Sequence, residues 1–411
     1  MNSRHPMPNI GIVTALPVEA FAVQTILEDL EEAPDTHHED RSIYYLGGLP
    51  SRVPGQPHGV VLCLLTEDGG VAAAHGCANL ARTWNVRYII MCGIACGVPN
   101  TAEPERHVRL GDVLVAEDGI VPYGHVRVDD EGDHLRRPAA RPSVDLRNAA
   151  RKLRTTAEAG HRPWEKWLDV GRRPDLAAYA RPPAVTDMLL DDETGQQIRH
   201  PTLGRSGHLP GRPKVHHGLI GSGGKLIRTS QERNRLARKH RLIGLDMEGD
   251  GVSDAAYLQG VDWFMVRGVS DYGSPKNDTW HRYAALAAAA YTRALLEQVK
   301  PSAARRTQPV FGTELGERRD RPVPNRDVLV AALLEVRTMR DRIGRDSIHS
   351  ALPDVQRNQV RRAHDAYHDV CGFVDSLGPS SGGLTQLLEA LRAAEGDSLP
   401  VRRFAALLQD R

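Results

Sequence analysis

The sequence predicts an α/β protein in which a mostly parallel sheet is covered by crossover helices and followed by a small all-α bundle. Three observations carry this expectation. Between Pro8 and about Val121, short runs rich in Val, Ile and Leu alternate with helix-patterned segments. The same alternation resumes from Val215 to about Lys300. Beyond Asn325, apolar residues recur only at helical spacing.

The elements follow in order. Strands are expected at Ile10–Thr14, Gly59–Leu65, Val86–Met91 and Asp112–Ala116, runs largely free of charge, as strands covered on both faces should be. Helices at Pro17–Leu30 and Val71–Trp84 connect them, and Glu67-Asp68-Gly69-Gly70 reads as the turn before the second helix. From His125 to Lys214 the texture shifts to Pro, Arg and Asp, with short helical patches such as Val144–Arg154. This stretch reads as an insertion or lid, partly flexible, with 17 Lys/Arg against 13 Asp/Glu. Its Trp164 and Trp167 are expected to pack rather than to bind a ligand. A strand at Val215–Ile220, a polar helix at Thr229–His240, a helix at Met247–Gln259 and a strand from Val261 to Asp271 come next. Asp278 is expected to cap an Ala-rich helix over Thr279–Val299. Residues 301–324, rich in Pro, Arg and Thr, read as a linker between a catalytic domain at 8–300 and a helical domain at 325–411.

Bulk properties narrow the functional classes. With 53 Lys/Arg against 52 Asp/Glu, the net charge of +1 argues against direct nucleic-acid binding. The five scattered cysteines read as reduced, mostly buried thiols of a cytoplasmic protein. Cys92 and Cys96 lack a second Cys/His pair at ligand spacing, so neither a metal nor a cofactor is expected. The mostly polar residues before Ile10 lead straight into a strand, and no long apolar run follows, so no signal peptide and no membrane span are expected.

Familiar nucleotide motifs fail on inspection. Gly221-Ser222-Gly223-Gly224-Lys225-Leu226 has the wrong glycine spacing for a phosphate loop, and Leu226 stands where a magnesium-binding Ser or Thr belongs. No Gly-x-Gly-x-x-Gly follows the first strand. What remains is a set of carboxylates near strand ends and helix starts, Glu19, Glu248 and Asp271, with Arg267 beside the last. That set suits cleavage of an N-glycosidic bond. The reaction needs a proton donor for the departing base, a base to activate water and a ligand for the ribose hydroxyls. Carboxylates also stabilise the cation-like sugar of the transition state. To carry a proton near neutral pH, Asp271 needs a shielded setting.

Six segments, in order, resemble the nucleoside phosphorylase/nucleosidase superfamily, most closely its methylthioadenosine/S-adenosylhomocysteine nucleosidase branch. They are Ile10-Gly11-Ile12-Val13-Thr14-Ala15-Leu16-Pro17-Val18-Glu19, Gly69-Gly70-Val71-Ala72-Ala73-Ala74, Cys92-Gly93-Ile94-Ala95-Cys96-Gly97, Leu110-Gly111-Asp112-Val113-Leu114-Val115, Met247-Glu248, and Arg267 with Ser270-Asp271. The resemblance implies a three-layer αβα fold with a mixed, mostly parallel central sheet. It implies that Glu19 and Arg267 position the attacking water and that Met247 and Glu248 contact the sugar. Asp271, with Ser270 beside it, would protonate the purine. Gly93, Ile94 and Ala95 would lie beneath the base, with Leu226 and Ile227 against it. Leu226 replaces an aromatic of the closest branch, and Lys225 adds a charge beside Gly224, where that branch has an acid. Together with the basic insertion, these departures suit a phosphorylated nucleoside.

Phosphorolytic relatives carry arginines near the first strand turn. Here that turn is Ala15-Leu16-Pro17-Val18, so water is the expected nucleophile. The resemblance also implies a homo-oligomer. Residues 325–411 resemble small helical effector-associated domains of bacterial conflict systems, through Asn325-Arg326-Asp327-Val328-Leu329-Val330, Arg345-Asp346, Leu352-Pro353, Gly382-Gly383-Leu384 and Ala394-Glu395-Gly396-Asp397-Ser398. Such domains imply an adaptor that pairs with a partner protein. The expected activity is that of a purine nucleoside or nucleotide N-glycosidase in phage defence. The alternatives are a housekeeping methylthioadenosine/S-adenosylhomocysteine nucleosidase and a non-catalytic nucleotide sensor.

Overall fold

A computed structural model describes residues 6–33, 40, 42–129, 132–191, 194–225, 227, 229–273, 278–301, 326–363, 365–378 and 383–409. The expected linker, from residue 302 on, and Leu226 lie outside them. The chain divides into two compact units, Met1–Thr307 and Gln308–Arg411.

Among the described residues, the main sheet of the first unit has nine strands: β1 (Pro8–Thr14), β2 (Glu28–Glu32), β3 (Ile43–Leu49), β4 (His58–Leu64), β5 (Tyr88–Gly97), β6 (Val113–Pro122), β7 (Val215–Ser222), β8 (Leu242–Asp246) and β9 (Asp262–Asp271). Their order across the sheet is β8-β7-β6-β9-β5-β1-β4-β3-β2. Pairings of β1, β4, β5, β6, β7, β8 and β9 include parallel ones throughout, whereas β2–β3, β3–β4, β6–β9 and β5–β8 are antiparallel, so the sheet is mixed. The β5–β8 pairing, Gly244 to Gly97 and Leu245 to Cys96, closes five strands into a ring.

Alternate residues of each strand point to opposite faces and bury there. Ile12, Ile90, Val115 and Phe264 enter one core with α1 (Pro17–Gln24), α3 (Val144–Glu158) and α6 (His281–Leu296). Val13, Met91, Leu114 and Met265 enter the other with α2 (Gly70–Trp84) and α5 (Gly249–Gln259). This is the three-layer αβα arrangement. α4 (Ser230–His240) covers a smaller cluster with Tyr123, Leu242 and Leu245.

Several elements differ from the sequence reading. The first helix ends at Gln24, and Glu28–Glu32 continues as β2, an exposed edge strand. Its acidic side chains suit an edge, where charge discourages strand addition, but they give no strand signal. β3 and β8 were not expected as strands. The last helix of the unit starts at His281, with Trp280 at the cap position. Asp278 contributes its carbonyl to the His281 amide (3.2 Å) and no side-chain cap to a helix starting at Thr279.

The expected insertion is in part a structural layer. Leu146, Ala149, Ala150 and Leu153 of α3 bury at helical spacing in the same core as α6. Trp164 packs against Tyr291 of α6 with the rings tilted and their centroids 5.3 Å apart, in keeping with a packing role.

In the second unit, helices Arg326–Glu335, Arg342–Ala351, Ala366–Leu377, Gly383–Glu395 and Leu399–Gln409 surround a core that includes Leu333, Met339, Phe373, Leu387 and Phe404. The third of these starts at Ala366, where Asp365 accepts the His368 amide at 3.0 Å, so Val360 is buried ahead of the helix and Tyr367 faces solvent. The Arg345–Asp369 pair is buried at 2.8 Å.

From Tyr283 to Leu296, α6 is buried all round, which its run of small alanines permits. Its close approach to β9 requires a glycine: a Cβ on Gly268 would lie 1.9 Å from the Ala284 carbonyl oxygen. Gly268→Ala should therefore destabilise the first unit by about 3 kcal/mol through overpacking. Denaturant unfolding of the full chain measures this, and an unchanged midpoint would contradict the close packing.

Candidate active site

The ring of strands brings distant carboxylates around one guanidinium. Arg267 in β9 is opposite Gly93 of β5 in the parallel register. Asp246 ends β8, and Glu248 occupies the cap position of α5. Glu19 lies in the first turn of α1.

Arg267 is 0% exposed. Its Nη2 donates to Asp246 Oδ2 (2.6 Å) and Glu248 Oε2 (2.8 Å), while Nη1 lies 3.8 Å from Glu19 Oε1. Burial alone would lower the guanidinium pKa, but Asp246, Glu248 and Glu19 together hold it above its ordinary value. Glu19 Oε2 accepts the Ala15 and Leu16 amides (2.8 and 2.9 Å), and Oε1 accepts the Ile94 amide (2.7 Å). One carboxylate thus ties the β1–α1 turn to β5. Gly93 permits this crossing, since a Cβ there would lie 2.3 Å from Glu19 Oε1 and 2.5 Å from Arg267 Nη1.

Glu248 Oε1 accepts the Gly69 amide at 3.1 Å. Burial is the main cause that pushes Glu248 up to about 7; Arg267 opposes it, and Asp246 and Glu19 add to it. Asp271 is oriented by the Ser270 hydroxyl (2.7 Å) and the Gly273 amide (2.7 Å). It is half-buried, a more open setting than the sequence argument called for.

Glu19, Ile94, Ala95, Lys225, Ile227, Met247, Glu248, Ser270 and Asp271 line one cleft. Arg267 and Gly93 do not line it. They lie behind its wall, so Arg267 acts on the cleft through the carboxylates it holds. Asp246, Tyr123, Asp68 and His281 also line the cleft and were not singled out in the sequence. Asp246 had a signal, an Asp-x-Glu pair at the start of an expected helix; His281 had none. The Tyr123 hydroxyl holds the Gly223 and Lys225 carbonyls (3.3 and 3.1 Å), which fixes the loop that carries Lys225.

Among the described residues, no arginine or lysine of the 125–214 stretch lines the cleft. Arg137 pairs with Asp254, Arg151 with Glu117 and Arg173 with Asp175, and Arg181 stacks on Trp280. The described basic residues of a lid therefore give no support to phosphate recognition; Lys225 and His281 are the basic side chains in the described lining.

A mixed sheet closed into a ring, with a carboxylate-lined cleft beside its strand ends, defines the class of the first unit. Residues 9–299 match the family model described as Phosphorylase superfamily, and the chain belongs to that superfamily. Residues 330–409 match Effector-associated domain 2. The chain is 27% identical over 308 residues to a nucleotide-binding leucine-rich repeat (NLR)-like protein of Hyaloscypha variabilis, covering 72% of this chain and 30% of that protein. It is 25% identical over 292 residues to the ATP nucleosidase Cap17 of Escherichia coli, covering 71% of this chain and 51% of the relative. It is 23% identical over 288 residues to a 5'-methylthioadenosine/S-adenosylhomocysteine nucleosidase of Mycobacterium bovis, covering 70% and 95%. The chain thus spans about half or less of the first two relatives.

The raised Glu248 makes folding stability depend on pH. The folded protein keeps this proton up to about 7, against an ordinary value of 4.5. The stabilisation is full below the lower value and is lost as pH rises through the higher one. Urea unfolding at pH 5 and pH 8 should show the wild type losing roughly 3 kcal/mol more than Glu248→Gln across that interval. Parallel profiles would contradict the assignment.

Proposed function

We propose that the first unit hydrolyses the N-glycosidic bond of a purine nucleoside or nucleotide. The observation that carries this reading is the convergence of Glu19, Glu248 and Asp271 on one cleft, with Arg267 fixed behind them. Glu19 takes a proton from water, whose oxygen attacks the anomeric carbon. The bond to the base breaks, its electron pair leaves with the purine, and Asp271 delivers a proton to the imidazole nitrogen. Glu248 holds the ribose hydroxyls beside Met247, while Ile94, Ala95 and Ile227 contact the base. Arg267 is a positioning residue that keeps Glu19 and Glu248 in register. Similarity to an ATP nucleosidase and to a methylthioadenosine/S-adenosylhomocysteine nucleosidase supports base release by water. Lys225 and His281 in the cleft favour the phosphorylated substrate over the thioether.

The match of residues 330–409 to an effector-associated domain supports a role as an effector in antiphage defence, recruited through the helical domain by a partner protein. In this reading the protein is a cytoplasmic homo-oligomer.

Incubation of the full chain with ATP, AMP, adenosine and methylthioadenosine, followed by detection of free base, tests the substrate class. Release from the thioether alone would overturn the nucleotide reading. Asp271→Asn should cut the rate by ~10²–10⁴-fold with an unchanged melting temperature. A wild type that binds these compounds and releases no base would be a sensor instead. Turnover should persist in phosphate-free buffer, and its loss there would assign phosphorolysis.

A further inference from the structure

A second cluster of chemically capable side chains lies outside the cleft. Asp112 stands just before β6, His216 is the second residue of β7, and His208 follows the short helix Leu203–Ser206. All three are buried. His208 Nε2 and His216 Nε2 lie 2.8 and 2.9 Å from the same oxygen, Asp112 Oδ2, and the three potential ligand atoms lie within 4.8 Å of one another. We propose that Asp112, His208 and His216 form a site for a divalent metal ion of the zinc class.

Four features support a metal over a plain hydrogen-bond cluster. First, Asp112 Oδ2 also accepts the Arg109 amide at 2.8 Å, so three donors compete for one oxygen, and two of them demand a particular imidazole tautomer. A cation bound by both Nε2 atoms would take the place of those two protons and leave each ring's proton on Nδ1. Second, the carboxylate has no lysine or arginine side chain in ion-pair contact among the described residues; its ion-pair partners are the two histidines. Third, the outer contacts are those that ligands use: His208 Nδ1 meets Ser206 Oγ at 2.8 Å, and Asp112 Oδ1 accepts the Lys214 amide at 2.9 Å. Fourth, two imidazole nitrogens and a carboxylate oxygen are a familiar donor set for four-coordinate zinc with one further ligand. Bonds of about 2.0–2.1 Å need ligand atoms roughly 3.3 Å apart, somewhat more than the 2.8 and 2.9 Å between Asp112 Oδ2 and the two imidazole nitrogens, all three atoms lying within 4.8 Å of one another.

The ion would fasten the segment after Ser206 to the beginnings of β6 and β7. Its influence extends toward the cleft, because Asp112 O accepts the Val269 amide and Val269 O accepts the Gly111 amide, both at 2.8 Å. Val269 directly precedes Ser270 and Asp271. The role assigned to the ion is structural, and it does not depend on which reaction the cleft performs.

Equilibrium dialysis of the chelator-stripped full chain against Zn²⁺ with a competing indicator tests the proposal. We expect about one ion per chain. His208→Gln and His216→Gln should each weaken binding by about 100-fold or more, whereas substitution of His200, whose Nδ1 meets His107 Nε2 at 2.8 Å outside the three-residue cluster, by Gln should leave it unchanged. The Co²⁺-loaded wild type should show tetrahedral d–d absorption without a thiolate charge-transfer band, a readout that stands even if the variants fail to fold. Less than about one tenth of an ion bound to the wild type, undiminished binding in folded histidine variants, or a thiolate band would each overturn the site.

Discussion

One guanidinium organises the cleft. Arg267 has no access to solvent, yet three buried carboxylates from three different elements face it. A single positive charge cannot neutralise three negative ones, so the cluster holds back a proton, and Glu248 is the group on which burial and its neighbours place it. Removing Arg267 would leave those carboxylates buried without a counter-charge, a far larger cost than the pair itself contributes. Backbone amides fix Glu19, two of them on Oε2 and one on Oε1.

The closed ring makes that convergence possible. β8 runs parallel to β7 and antiparallel to β5 at its far end, which carries Asp246 and Glu248 across to the strand opposite Arg267. Glycines at the crossing points keep the distances short. Gly93 leaves room for Glu19 and Arg267, and Gly268 lets α6 lie directly on β9. Site geometry and sheet packing therefore share the same few residues.

Much of this was legible in the sequence where local chemistry reports local structure. Uncharged Val/Ile runs marked β1, β4, β5, β6 and β9, because strands covered on both faces need them. Glu19, Glu248 and Asp271 were conspicuous as acids beside strand ends. Less legible was whatever depends on closure of the sheet. β8 is a short run whose place follows from two partners far away in sequence. β2 carries the composition of a loop, because an edge strand needs little apolar surface. The Asp112–His208–His216 cluster joins residues 96 and 104 positions apart, so no spacing motif exists to find. The arginines at 125–214 suggested a basic lid, but charge composition alone does not say which acid an arginine will meet.

Asp112 with its two histidines and the carboxylates around Arg267 are thus two buried polar clusters with different built-in partners. At the cleft an arginine is built into the strand, so the compensating charge is permanent and the carboxylates keep fixed positions. At Asp112 the built-in partners are imidazoles, which can be neutral, so compensation depends on what joins them. The backbone bonds between Asp112, Gly111 and Val269 place the second cluster one residue from the Ser270–Asp271 pair. A change in how Asp112 is balanced would be felt first in the backbone of β9, the strand that carries Arg267, Ser270 and Asp271 together.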